Sequence, residues 1–188
     1  MAKNRTAFSR PVIFTDFDGV LNTFPDSKVL RRGGVNKVLS WAKPDSPYAK
    51  LYDPANAFHT DGNEVAHTPE GSWRIHWSSE LSDAMYRLAA DGLAELYWLS
   101  TWQPYCEQQL DPLLGWDPQL VEVVTWYDPI TNAWRGTGKW QTILRHANIE
   151  NRMDRPAPLV WIDDDECTAQ RARQLEELQP KAPILMIR

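Results

Sequence analysis

Val12-Ile13-Phe14-Thr15-Asp16-Phe17-Asp18-Gly19-Val20-Leu21-Asn22 is an apolar, β-prone run that ends in two aspartates two residues apart and then a glycine. Successive strand residues point to opposite faces, so positions i and i+2 share a side. Read as one strand from Val12 to Phe17, the segment gathers both carboxylates at its carboxyl end, where open α/β sheets place their ligands. Two like charges that close call for a cation, and all-oxygen ligands suit Mg²⁺. A carboxylate facing a phosphate can attack it, and its neighbour can manage the leaving-group proton. The plain alternative is a pair of aspartates that ends a strand and begins a turn.

Composition bounds the molecule. A chain of 188 residues, 43% hydrophobic, supports one domain with a full core. No apolar run reaches the 18 or so residues of a membrane span. Met1 to Arg10 carries basic residues but no apolar region behind them, so no signal peptide is expected. Cys106 and Cys167 are far apart, without metal-type spacing, which fits a reducing cytoplasm. A net charge of −5 argues against bulk attraction to nucleic acid. The ten tryptophans are expected in core and cap packing rather than in a stacking device.

Strand-like and helix-like segments alternate, which predicts an α/β fold with a parallel sheet. Further strands are expected at Ala94–Ser100, Leu120–Trp126, Leu159–Ile162 and Ile184–Ile187. Leu81, Met85 and Leu88 form a helical stripe, with Ser78 or Ser79 as cap and Gly92 as stop. Pro104 suits a first helical position ahead of Cys106, Leu110, Leu113 and Leu114. Trp140, Ile143, Leu144 and Ala147 predict another helix, and Thr168–Leu178 a last one. Residues 22–77 break this rhythm, because they are too long for a βα connection. They read as a cap or flap inserted into a single domain of 1–188. Turn signals fall at Arg32-Gly33-Gly34, Lys43-Pro44-Asp45 and Asp61-Gly62-Asn63, and a hairpin ends in Ser72–Trp77.

Three later segments carry chemistry at strand ends or helix starts. Trp98-Leu99-Ser100-Thr101-Trp102 offers two hydroxyls after a strand. Gly136-Thr137-Gly138-Lys139 precedes a helix without the spacing of a Walker loop. Trp161-Ile162-Asp163-Asp164-Asp165-Glu166 places an acidic run directly after a buried-type strand, with Asp165 and Glu166 expected at the amino end of the next helix.

Asp16-Phe17-Asp18-Gly19-Val20-Leu21-Asn22 resembles motif I of the haloacid dehalogenase-like phosphohydrolases, and the other three segments resemble motifs II, III and IV in order. The resemblance covers Val12 to about Leu178 outside the insertion. It implies a three-layer, Rossmann-like α/β fold with sheet order 5-4-1-2-3 and an insertion that covers the site and selects the substrate. It also implies Mg²⁺ held by Asp16, the backbone carbonyl of Asp18 and Asp163, with Asp164 as the alternative or additional ligand. Asp16 is then the nucleophile that forms an aspartyl-phosphate, and Asp18 the acid and base. A hydroxyl of Ser100, or of its rival Thr101, and the Lys139 ammonium hold the phosphoryl oxygens. A second aspartate at position 18 points to phosphate chemistry and away from dehalogenation.

The implied activity is a phosphatase acting on a nucleotide or nucleic-acid phosphate end, or on a small phosphometabolite. A binding or regulatory module that keeps the fold without turnover is a third reading. Small bacterial and phage proteins with this motif set, some linked to RNA end repair, supply the nucleic-acid analogy. Between Thr23 and Tyr48, Lys28, Arg31, Arg32, Lys37 and Lys43 outweigh Asp26 and Asp45 for a local net charge of +3. Trp41 and Tyr48 lie among them, so a base could stack while cations meet phosphates. The competing account makes these charges a solvated face and the aromatics cap packing.

Overall fold

The computed structural model describes residues 8–25, 27–53, 55, 57–126 and 138–188. Five parallel strands form one sheet: β1 (Val12–Thr15), β4 (Glu95–Trp98), β5 (Val121–Val123), β6 (Leu159–Ile162) and β7 (Ile184–Ile187). β2 (Gly62–Thr68) and β3 (Gly71–Trp77) form a separate antiparallel hairpin. The sheet order is β5-β4-β1-β6-β7. The expected order counted sheet strands alone, and the hairpin takes two numbers between the first and second of them. All four residues of β1 are buried, as a strand covered on both faces requires.

Alternation along β1 divides the core in two. Ile13 joins Leu96 and Trp98 of β4 against Met85 and Ala89 of helix α4 (Ser79–Ala90). Val12 and Phe14 join Leu159 and Trp161 of β6 against Ile143 and Ala147 of α6 (Lys139–Glu150) and Leu175 of α7 (Ala169–Glu177). Helices therefore cover both faces, giving three layers. Trp98 and Trp161, fully buried on opposite faces, anchor one core each. Burying a ring of that size contributes roughly 4–6 kcal/mol as an upper bound. No helix among the described residues is long and apolar enough to cross a membrane.

Local chemistry sets the element ends. The Ser78 hydroxyl accepts from Leu81 N at 3.4 Å to start α4, and Gly92 ends it in the left-handed region at φ +67°. Thr168 caps α7, accepting from Arg171 N at 3.3 Å. Asp165 and Glu166 therefore lie in the turn before that helix and not in its first turn. A π-helical turn (Cys106–Leu110) runs into α5 (Asp111–Leu114), so the helix expected from Pro104 begins two residues later. β5 is shorter than predicted because Trp126 N donates to the Gln103 side chain at 2.6 Å instead of to a strand.

The insertion contains α1 (Ser27–Arg31), α2 (Val38–Trp41) and α3 (Pro47–Leu51), followed by the hairpin. Gly33 and Gly34 turn the chain with φ of +95° and +85°. Gly62 opens β2 instead of marking a free turn. It lies directly against the ring of its cross-strand partner Trp77, where any side chain would collide.

Candidate active site

β1 stops at Thr15, two residues earlier than the sequence suggests. The Phe17 carbonyl accepts from Val20, Leu21 and Asn22 amides, which closes a tight loop. Asp16 and Asp18 are thus not strand neighbours on one face. Asp16 leaves the strand with its amide still donating to Ile162 O of β6 at 2.9 Å, while Asp18 rides on the loop. Thr15 pairs with Trp98 and with Ile162, so β1, β4 and β6 end level and bring three of the predicted segments together.

Asp16 is buried, and its Oδ1 accepts from Phe17 N at 2.7 Å. Its Oδ2 forms an ion pair with Lys139 Nζ, which also reaches Asp163 Oδ2 at 2.9 Å. Lys139 is the first residue of α6, so the helix start aims its ammonium across the sheet end. Gly138 precedes it with extended backbone at φ −167°, and Gly136 and Thr137 lie outside the described residues. Burial opposes the lysine charge, but the two carboxylates outweigh it and hold the Lys139 pKa above the ordinary lysine range. Asp163 is fully buried, and its Oδ1 accepts from Glu166 N at 2.6 Å and Asp165 N at 3.1 Å.

Asp164 completes the group. One oxygen from each of Asp16, Asp163 and Asp164 lies within 4.8 Å of the others. Burial, then repulsion from Asp165 and Asp163, pushes the Asp164 carboxyl up. Three carboxylates against a single ammonium leave this corner short of positive charge. The donors are all hard oxygens, the set that suits a cation such as Mg²⁺. Gly19, at φ +75°, lies directly against the Asp164 carboxylate, where a Cβ would stand in its place. The glycine of the quoted stretch is therefore required twice, by its backbone conformation and by this approach.

The side chain of Asp18 stands outside the carboxylate triad. Its Oδ1 accepts from Asn22 Nδ2 and its Oδ2 from Trp102 Nε1, both at 2.8 Å. Asn22 in turn accepts from His76 N of β3 at 3.0 Å, tying the hairpin's base to the loop. The Trp102 ring meets Phe17 edge-on at 5.6 Å between centroids. Asn22 and Trp102 belong to the quoted motifs, yet nothing in their spacing assigned them the job of orienting Asp18. Ser100 is buried beside Asp16 and accepts from Trp102 N at 3.3 Å. Its rival Thr101 is exposed and faces the cleft instead.

That cleft, about 290 Å³, opens beside Asp18. Thr101, Trp102 and Tyr105 form one wall, and Thr68, Glu70 and Trp73 of the hairpin form the other. Tyr105 Oη donates to Glu70 Oε1 at 3.1 Å, and His67 N donates to Gln109 Oε1 at 3.2 Å. Both bonds hold the hairpin over the site. Two of the ten tryptophans, Trp73 and Trp102, thus line a cleft, Trp102 while also packing against the core.

The basic stretch of the insertion lies elsewhere. Trp41 and Tyr48 pack on each other at 5.5 Å, with Lys28 Nζ 4.5 Å from the Tyr48 centroid and Arg32 Cζ 4.7 Å from the Trp41 centroid. Lys28 and Arg32 thus engage the two aromatics, and none of the stretch's cations or aromatics lines the cleft. Comparison with protein-family models, curated proteins and solved structures finds no significant match to this chain.

Proposed function

We propose that this protein is a Mg²⁺-dependent phosphomonoester hydrolase of the haloacid dehalogenase-like type, working through an aspartyl-phosphate. The observation that carries the reading is the meeting of Asp16, Asp163, Asp164 and Lys139 at the level ends of β1 and β6, with Asp18 at the mouth of a cleft. The three-layer fold, with β1 between β4 and β6, supports the same assignment.

Asp16, Asp163 and Asp164 would hold the cation, which supplies charge neutralisation to a phosphoryl group when bound. An Asp16 carboxylate oxygen attacks phosphorus, forming the acyl-phosphate bond as the ester P–O bond breaks. Asp18 passes its proton to the departing oxygen and then takes one from the water that attacks the phosphoryl group. Inorganic phosphate leaves and the Asp16 carboxylate is regenerated. Lys139 and the Ser100 hydroxyl stabilise the transferring oxygens, a charge and a neutral donor aimed where negative charge develops. A small phosphate ester fits the cleft better than a nucleic-acid strand, because the insertion's cations lie away from it.

Phosphate release from an aryl phosphate tests this directly. Turnover is expected with Mg²⁺ and not with chelator, and Asp16→Asn is expected to lower it at least a hundredfold with folding unchanged. Chelator-resistant turnover, or an Asp16→Asn protein retaining more than a few per cent, would remove the mechanism.

A further inference from the structure

Among the described residues, the two walls of the cleft carry no basic side chain, and the charged groups lining it are Asp18 and Glu70. Glu70 sits at the hairpin turn between Thr68 and Gly71, the last cross-strand pair. Hydrogen bonds from the Thr68 side chain first, then the backbone and Tyr105 hydroxyl, hold its carboxyl below the usual glutamate range, so it stays charged at neutral pH. Around it the lining is aromatic. The half-exposed Trp73 ring lies beside Gly71, and its Nε1 donates to Thr68 Oγ1 at 3.3 Å. Trp102 is held at the inner end by Asp18, and Tyr105 at the outer end by Glu70.

We propose that the hairpin tip selects the leaving group: a flat ring system bearing a hydrogen-bond donor or a positive charge, seated against Trp73 and Tyr105 and directed to Glu70. This rests on the hydrolase reading for the phosphate end and adds the chemistry of the other end. A ring gains from aromatic contact with Trp73 and Tyr105, a donor or cation gains from Glu70, and a second anionic group is repelled by it. Lys139, with a cation that Asp16, Asp163 and Asp164 would hold, would draw the phosphate itself past this acidic wall, so exclusion acts on the far end of the ester.

Three aryl phosphates of matched phenol basicity test it, carrying a para-ethyl chain that ends in an ammonium, a hydroxyl or a carboxylate. Their difluoromethylphosphonate analogues are titrated calorimetrically into the full chain with Mg²⁺, which reads the cleft whether or not turnover occurs. The ammonium analogue is expected to bind about tenfold tighter than the carboxylate, as one attractive against one repulsive partly exposed pairing gives. Glu70→Gln keeps the bond to Tyr105 and is expected to bring that ratio within about twofold. Trp73→Ala is expected to weaken all three analogues about equally. Equal affinity for ammonium and carboxylate, or a preference that survives Glu70→Gln, would overturn the proposal. Phosphate release from the esters is measured separately, so a cleft that discriminates without turnover would strike only the hydrolase reading.

Discussion

Asp18 is held by two donors from different parts of the chain, Asn22 in its own loop and Trp102 after β4. A catalytic acid delivers its proton only from the right rotamer, so these donors act as positioning groups. Trp102→Phe preserves the packing on Phe17 but removes the indole N–H. Its kcat is expected to fall about tenfold to a hundredfold on alkyl phosphates, whose leaving groups need the proton, and much less on nitrophenyl phosphate. Its melting temperature should stay within a few degrees of wild type. Equal losses on both substrates would show that Trp102 does not act through Asp18. Gly19 is the other residue whose identity is dictated here, because its positive φ and the adjoining Asp164 carboxylate each exclude a side chain.

The π-helical turn and α5 bury a further carboxylate with no part in the proposed chemistry. Asp111 is fully buried, its Oδ1 accepts from Trp98 Nε1 at 2.7 Å, and its Oδ2 has no partner among the described residues. Burial, eased by the Trp98 bond, pushes its pKa up to about 6. The unfolded chain therefore releases this proton near pH 4 and the folded one near pH 6. Between those values the folded state binds more protons, so stability falls as pH rises and then levels off. The loss assigned to this group is about 2–3 kcal/mol. Asp111→Asn keeps the acceptor for Trp98 and removes the ionisation. Relative to wild type, it is expected to gain that amount between pH 4 and pH 7.5, as read by denaturant unfolding at both pH values. A difference independent of pH would show that Asp111 does not titrate in this window. The neighbouring Cys106 is buried too, with its thiol pushed up by burial and by Asp111, Asp16 and Asp18, which keeps it protonated.

At the scale of the molecule, the proposed cation ligands are Asp16, Asp163 and Asp164, so a cation bound there would tie the ends of β1 and β6 together. Mg²⁺ at a hundred times its dissociation constant is expected to stabilise the fold by about 2.7 kcal/mol. That corresponds to a rise of about 5–10 °C in Tm for a chain of this size. Asp163→Asn keeps an acceptor for the Asp165 and Glu166 amides but loses the charge, and should lose most of the rise. A wild-type protein whose Tm ignores Mg²⁺, or a variant that responds equally, would place the cation elsewhere or nowhere. What the sequence determined by itself was the local part. Apolar runs at 12–15, 95–98, 159–162 and 184–187 form the sheet, with burial on two faces at the central run 12–15 and Leu185 and Ile187 exposed on the edge strand, and caps such as Ser78 and Thr168 act within a few residues. Asp16, Ser100, Asp163 and Asp164 stood out in the sequence because each lies at or just after an apolar run, although β1 and β4 end two residues earlier than expected. Only the tertiary structure decided that β1 stops before Asp16, that Trp102 reaches Asp18 across 84 residues, and that Asn22 ties the loop to β3. It alone set the cleft, because Glu70 and Trp73 face Tyr105 only once the hairpin folds back over the sheet. Likewise, the cations and aromatics of 28–48 read as a binding stretch in one dimension, but in three dimensions Lys28 and Arg32 pack on Trp41 and Tyr48. Propensity and periodicity act over a few residues, whereas side-chain contacts between distant segments depend on how those segments pack, and composition does not encode that geometry.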